Sequence, residues 1–339
     1  MFDKDTYIRR RRELKKLVGD GVIVLFGNNN SPANFPNNGY HPFRQDSSFL
    51  YFFGQQREGL VGVIDVDNDV ETLVGDDISI DDIVWYGSVD SVSDMAGQVG
   101  VAHSAPMSEL ENICKDAQAK KRTIHFLPPY RHDIMIQIYD LLGIHPKQQT
   151  EKASMKLIKA VVKMRSTKEP QEIEELERAA VIGYKMHTTA MRMVKPGVTE
   201  QLIAGTIDGI ANGYGSMVSF PTIFSQHAEI MHGSPSMNLL EDGRLVLCDA
   251  GAETVNHYCS DNTRTMPVNG KFTQRQLEIY TIVEECHDLA LSLSKPGVRY
   301  WDVHFAVCRH MTDRLKELGL MKGDTEEAVR AGAHAMFLV

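Results

Sequence analysis

Long apolar runs, excess basic charge and patterned cysteines are what this sequence has little of. No stretch reaches the roughly 20 apolar residues that cross a bilayer, which excludes a helical membrane protein. The first residues, MFDKDTYIRRRRELKKL, contain no apolar h-region, so a cytoplasmic protein is expected. The formal net charge is −9, which argues against a nucleic-acid backbone as the main partner. The basic run Arg9 to Arg12 then reads as the solvated face of a first helix. The 5 cysteines are odd in number and no two form a CxxC pair. That argues against a disulfide framework and against a thiolate zinc site. Cys248 reads as a small apolar filler in a buried strand. There is no P-loop and no GxSxG, and GYGSMV (213–218) is a poor match to a phosphate loop.

What is there begins with length. A chain of 339 residues exceeds what one compact core usually holds, so two domains are expected, 1–160 and 161–339. The first alternates strand-like and helix-like segments. GVIVLFG (21–27), SSFLYFFG (47–54), GLVGVIDV (59–66), ETLVG (71–75) and RTIHFLP (122–128) read as strands, with DIVWYG (82–87) as a further candidate. SELENICKDAQAK (108–120) and HDIMIQIYDLLG (132–143) read as helices. The loop NNNSPANFPNNGYHPFRQ (28–45) interrupts this mixed α/β domain.

Beyond residue 160 the pattern changes to long helices. Pro170 suits a first helical turn, and Ile173, Leu176 and Ala180 follow at helical spacing. KPGV occurs at 195–198 and again at 295–298, 100 residues later. Each copy lies between two long helices, so an internal duplication is expected. Strands follow the first copy as far as Val268, and the second set should reach roughly residue 368. The sequence stops at Val339 inside AMFLV, so a fragment or an incomplete second copy is expected.

Chemistry concentrates in VLCDAGAETVNHYCSDNTRT (246–265). RLVLCDAG and HYCSDNTRTMPV read as paired strands, with Gly251 permitting a turn. Alternation puts Asp261, Thr263 and Thr265 on one face. Two buried aspartates would repel, unless one is protonated or a cation lies between them. A divalent metal with oxygen ligands satisfies this. So does the plainer arrangement, with Asp249 in a turn and Asp261 paired with Arg264 or a lysine. His232, in EIMHGSPS, becomes a candidate proton donor or substrate-orienting group only beside a metal site.

The stretch VLCDAGAETVNHYCSDNTRTMPVNGKFT resembles the first metal-binding segment of the Xaa-Pro aminopeptidases (aminopeptidase P), of the pita-bread metallopeptidase superfamily. HPFRQDSSFLYFFG (41–54) resembles the family's N-terminal domain, and MRSTKEPQEIEELERAA (164–180) the helix that opens its catalytic domain. The resemblance implies an α/β N-terminal domain with a mixed sheet, of the creatinase/prolidase type, followed by an α+β pita-bread domain incomplete in its second half. It implies two Mn²⁺ ions held by two Asp, one His and two Glu. Asp249 and Asp261 match the first two, and the other three have no match before Val339. The 339-residue chain itself is therefore expected to be inactive and to bind metal weakly. His232 matches the family's active-site histidine, and Trp85 an aromatic that reaches a neighbour's site in a homodimer or homotetramer. The implied substrate is a peptide with proline at position 2. Alternatives are a dipeptidase of the prolidase kind or a non-catalytic pita-bread binding module. The family usually has one residue fewer between the aspartates, so a bulge or longer turn is expected.

Overall fold

The computed structural model describes residues 1–32 and 43–336, and of Tyr86 the backbone only. Most of the loop 28–45 therefore lies outside the described residues. The chain divides into two compact units. The first comprises Met1–Ile182, Ala211–Ser219 and Gly251–Ser260. The second comprises Gly183–Ile210, Phe220–Ala250 and the residues from Asp261 on. No helix among the described residues is long and apolar enough to cross a membrane.

The first unit is built on five strands: β1 (Val22–Phe26), β2 (Val61–Asp65), β3 (Val70–Val74), β4 (His103–Ala105) and β5 (Ile124–His125). Their order is β4-β3-β2-β1-β5. β2 is antiparallel to β1 and β3, while β5 runs parallel to β1 and β4 to β3, so the sheet is mixed. The alternation in β1 explains its continuous apolar sequence. Ile23 and Leu25 face the helices Lys4–Val18 and Ser47–Phe53, through Leu14, Phe49, Phe52 and Phe53. Val22 and Val24 face Leu110, Cys114 and Ala117 of the helix Ser108–Ala119. A strand covered by helices on both faces needs apolar side chains at every position. A second small sheet pairs β6 (Met217–Val218) with β9 (Ala252–Glu253).

Three expectations are corrected in this unit. Residues 47–53 form a helix, not a strand. Asp46 caps it by accepting from Ser48 N and Phe49 N at 2.8 Å, and Gly54 ends it at φ 64°. Phe49 and Phe53 stack one turn apart at 5.5 Å, an arrangement open to a buried helix and hidden in a short aromatic run. The candidate strand at 82–87 is likewise a helix, Ile80–Tyr86, opened by a capping box between Ser79 and Asp82. The basic run does lie on the first helix, but only Arg9 and Arg12 are solvated. Arg10 and Arg11 are 2% and 0% exposed. Arg11 donates to the carbonyls of Phe52 and Val99 at 2.8 Å and to Glu71 at 2.6 Å. Arg10 lies 3.8 Å from the Tyr51 ring centroid and pairs with Glu169.

The second unit holds an antiparallel sheet of β7 (Ile223–Ser225), β8 (Leu245–Ala250) and β10 (Asn262–Pro267), in the order β10-β8-β7. The helices Gln274–Leu293 and Tyr300–Glu317 pack through Ile282, Cys286, Met311 and Leu315. Both KPGV segments are the same turn. Val198 N donates to Lys195 O at 3.4 Å with Gly197 at φ 85°. Val298 N donates to Lys295 O at 3.1 Å with Gly297 at φ 88°. Proline followed by a positive-φ glycine inside a four-residue turn is type II geometry. Long helix, type II turn and long helix occur twice, as the repeated sequence predicts.

Candidate metal centre

β8 is the central strand of the second unit's sheet, and its burial alternates. Val246, Cys248 and Ala250 are fully covered, and Leu245, Leu247 and Asp249 are half-buried. Cys248 fills the covered face as expected, and burial pushes its thiol up to about 12. On the other face Asp249 stands opposite Thr263 of β10. Asp261 precedes Thr263 by two residues, so it falls on the same face as Asp249.

The electrostatics of the pair follow from that placement. Burial raises the Asp249 carboxyl above its ordinary range. The Thr263 hydroxyl opposes the shift, the Asp261 carboxylate adds to it, and His187 opposes it. Asp249 Oδ1 is buried without a hydrogen-bond partner. Among the described residues no ion pair joins either aspartate to an arginine, and Arg264 donates instead to the Thr263 carbonyl at 2.7 Å. The plainer pairing of Asp261 with Arg264 is thus absent. Two hard carboxylates side by side, one with an orphaned oxygen, fit a divalent cation.

The chain between the aspartates turns back at residues 254–258. Thr254 N donates to Tyr258 O at 2.9 Å and His257 N to Thr254 O at 2.9 Å, with His257 at φ 63°. This is a three-residue hairpin loop that ends in a left-handed residue. Gly251 has a different role from the turn assigned to it. A Cβ there would lie 1.8 Å from Ser260 O, so glycine is required by the close approach of the returning backbone.

Two contributors had no sequence signal of their own. Glu200, 1% exposed, accepts from Ser225 Oγ and Gln226 N at 2.9 Å and from Ser236 Oγ at 2.8 Å. It ties both ends of the segment that carries His232. The buried His187 lies against Ala250 O at 3.1 Å through Nε2, and its Nδ1 has no partner. His232 itself is exposed, on the turn closed by Gly233 N donating to Ile230 O at 3.3 Å. Trp85 lies in the first unit and is 80% exposed on the helix Ile80–Tyr86.

The sequence matches the profile of metallopeptidase family M24 over residues 174–334 and that of the aminopeptidase P N-terminal domain over residues 7–125. It is 31% identical to the Xaa-Pro aminopeptidase of Escherichia coli (strain K12), in an alignment covering 100% of this chain and 79% of that protein. The chain belongs to the Xaa-Pro aminopeptidase family. The low-pH form of aminopeptidase P from Escherichia coli superposes with a TM-score of 0.83 at 30% identity, covering 98% of this chain and 78% of the other. A zinc-substituted form of the same enzyme with product bound gives 0.83 at 29% identity and the same coverage. Family membership makes the fold a two-domain one, an aminopeptidase P N-terminal domain followed by an M24 pita-bread domain. It also makes the protein a hydrolase of a metal-dependent family, to which the paired aspartates are suited.

Proposed function

We propose that this protein is an aminopeptidase that cleaves the bond between an N-terminal residue and a following proline. It uses divalent metal, with Mn²⁺ as the resident ion. The observation that carries the reading is the apposition of Asp249 and Asp261 with one carboxylate oxygen buried and unpartnered. Those two side chains are the metal ligands in this reading, since Mn²⁺ favours carboxylate oxygens. A divalent ion held there supplies Lewis acidity and activates water at neutral pH. Thr263 steadies Asp249. Glu200 fixes the segment that brings His232 to the substrate, where its imidazole orients the scissile carbonyl or gives a proton. The bond before proline is a tertiary amide without an N–H, so recognition rests on the free amine, the carbonyl and the ring.

In this reading the domains are 1–160 and 161–339, which the gap between the two matched profiles supports. Trp85 joins a neighbouring subunit's site in a homodimer or homotetramer. Ile80 and Val84, exposed on the same helix, support a covered face there. A cytoplasmic location agrees with five free thiols.

The test is peptidase activity of the full-length protein on Xaa-Pro-Xaa tripeptides and Xaa-Pro dipeptides, with and without chelation. Cleavage should depend on added Mn²⁺, and Asp261→Ala should abolish it while the first unit stays folded by circular dichroism. Turnover unchanged by the substitution, or by metal removal, overturns the reading. Dipeptides cleaved in preference to tripeptides would make it a dipeptidase.

A further inference from the structure

Helix Tyr300–Glu317 carries a second cluster of metal-ligating side chains, which shares no residue with the aspartate pair. His304 and Cys308 are four residues apart and so lie on one face of this helix. Their donor atoms, His304 Nε2 and Cys308 Sγ, are 3.5 Å apart. His334 arrives from the short turn Ala333–Met336, and the three donor atoms all lie within 4.8 Å of one another. Ligands at ordinary Zn–N and Zn–S distances around a tetrahedral ion are about 3.6 Å apart. The helical pair already has that spacing, and the third ligand needs a shift of about an ångström.

The independent observation is at His334. The residue is 8% exposed, yet its Nδ1 is buried and has no hydrogen-bond partner. A buried polar atom left unpaired is costly, and such an atom calls for an explanation. Cys308 is 0% exposed beside it. The frame around the three is tied. Arg309 pairs with Glu326 at 2.6 Å, joining the helix to its neighbour Thr325–Arg330. Gly332, at φ 72°, accepts from Ala335 N at 3.0 Å and sets the turn that presents His334.

We propose that His304, Cys308 and His334 form a binding site for a borderline-soft divalent transition metal, Zn²⁺ in preference to Mn²⁺. One thiolate and two imidazoles select zinc, cobalt or copper, whereas hard ions such as Mn²⁺ and Mg²⁺ favour carboxylate and water. The chain would thus sort two metals by ligand chemistry, a hard one at Asp249 and Asp261 and a soft one here. Three protein ligands leave a fourth position for water. His304 and His334 also line a cavity of about 610 Å³ with Trp301 and Phe305, through which the ion can enter. The site pins the turn at 333–336 to the helix, so its first consequence is stability.

The experiment uses protein carrying Asp249→Asn and Asp261→Asn, which removes the carboxylate pair as a competing site. Anaerobic titration with Co²⁺ should produce a thiolate-to-cobalt charge-transfer band in the near ultraviolet, saturating at one equivalent and bleached by Zn²⁺. Cys308→Ser should abolish the band. His304→Ala and His334→Ala should each weaken binding by more than the roughly 10–100-fold that loss of an outer-shell partner costs. Cys259→Ser, at the exposed thiol, should leave the band intact. Where Cys308→Ser does not fold, alkylation mapped by mass spectrometry replaces it, and Zn²⁺ should protect Cys308 alone among the five thiols. Cobalt binding without the band, a band that survives Cys308→Ser, or alkylation of Cys308 indifferent to Zn²⁺ each overturns the proposal.

Discussion

Replacing Gly251 by alanine tests whether the approach of the two backbones on either side of the hairpin is as tight as the structure has it. The new Cβ would lie 1.8 Å from Ser260 O, 2.6 Å from Ser260 C and 2.9 Å from Ser219 Oγ. Restoring an ordinary contact of about 3.4 Å needs a backbone retreat of about 1.6 Å. That retreat also strains the bond by which Ser219 Oγ donates to Ser260 O at 2.7 Å. Overpacking costs typically 1–3 kcal/mol, and where both bodies are backbone no rotamer change relieves it. The expected loss is about 3 kcal/mol, roughly 150-fold in the folding equilibrium. Urea unfolding measures it against Gly205→Ala, in the helix Glu200–Tyr214, where an added Cβ meets nothing within 4 Å. That control should gain about 0.5–1 kcal/mol. Because Asp261 follows Ser260 in the chain, metal affinity at the aspartate pair should fall in Gly251→Ala as well. A destabilisation below about 1 kcal/mol, or one matching the control, refutes the reasoning.

Glu200→Ala should cost roughly 3 kcal/mol, since it strands the Ser225 hydroxyl and the Gln226 amide in a buried site. In the full-length protein it should lower kcat/KM while metal content, measured by atomic absorption, stays unchanged. Equal loss of metal would show that Glu200 supports the aspartates instead of the His232 segment. Glu253 supplies the pH prediction. Burial raises its pKa, but hydrogen bonds from His257 and Arg44 outweigh that and hold the carboxyl below its ordinary value of 4.5. A depressed carboxylate stabilises the fold above the unfolded pKa, and the contribution is lost as pH falls through the lowered folded value. Glu253→Gln should destabilise the protein at pH 7 and flatten its acid limb below about pH 4.5. An unchanged acid slope in thermal melts would refute this.

The aspartate pair was legible because a strand repeats every two residues. Asp261 and Thr263 share a face by counting alone, and β8 follows from one apolar run. The helix Ser47–Phe53 was not legible, because four aromatic and two serine residues in seven satisfy a buried strand and a buried helix equally. Its caps, Asp46 and Gly54, were the available signal. Arg10 and Arg11 were misread for a related reason. A guanidinium becomes buried only where carbonyls from distant segments converge, here from residues 51, 52 and 99, and a linear sequence does not show that convergence. Glu200 and His187 are further cases, each acting on groups 25 to 63 residues away. The rule that zinc thiolates announce themselves as CxxC likewise misses a pair set by one helical turn, His304 and Cys308.

The two KPGV turns have an evolutionary consequence. In a duplicated segment, surface positions on the helices can drift freely, since many residues are compatible with a helix. The turn cannot drift the same way. Its second position has φ held near −65° by the proline ring, and its third needs a backbone conformation that side chains with a Cβ rarely adopt. Substitution at either position bends the chain wrongly before it alters any contact. The four residues are therefore what two copies of one segment would retain longest.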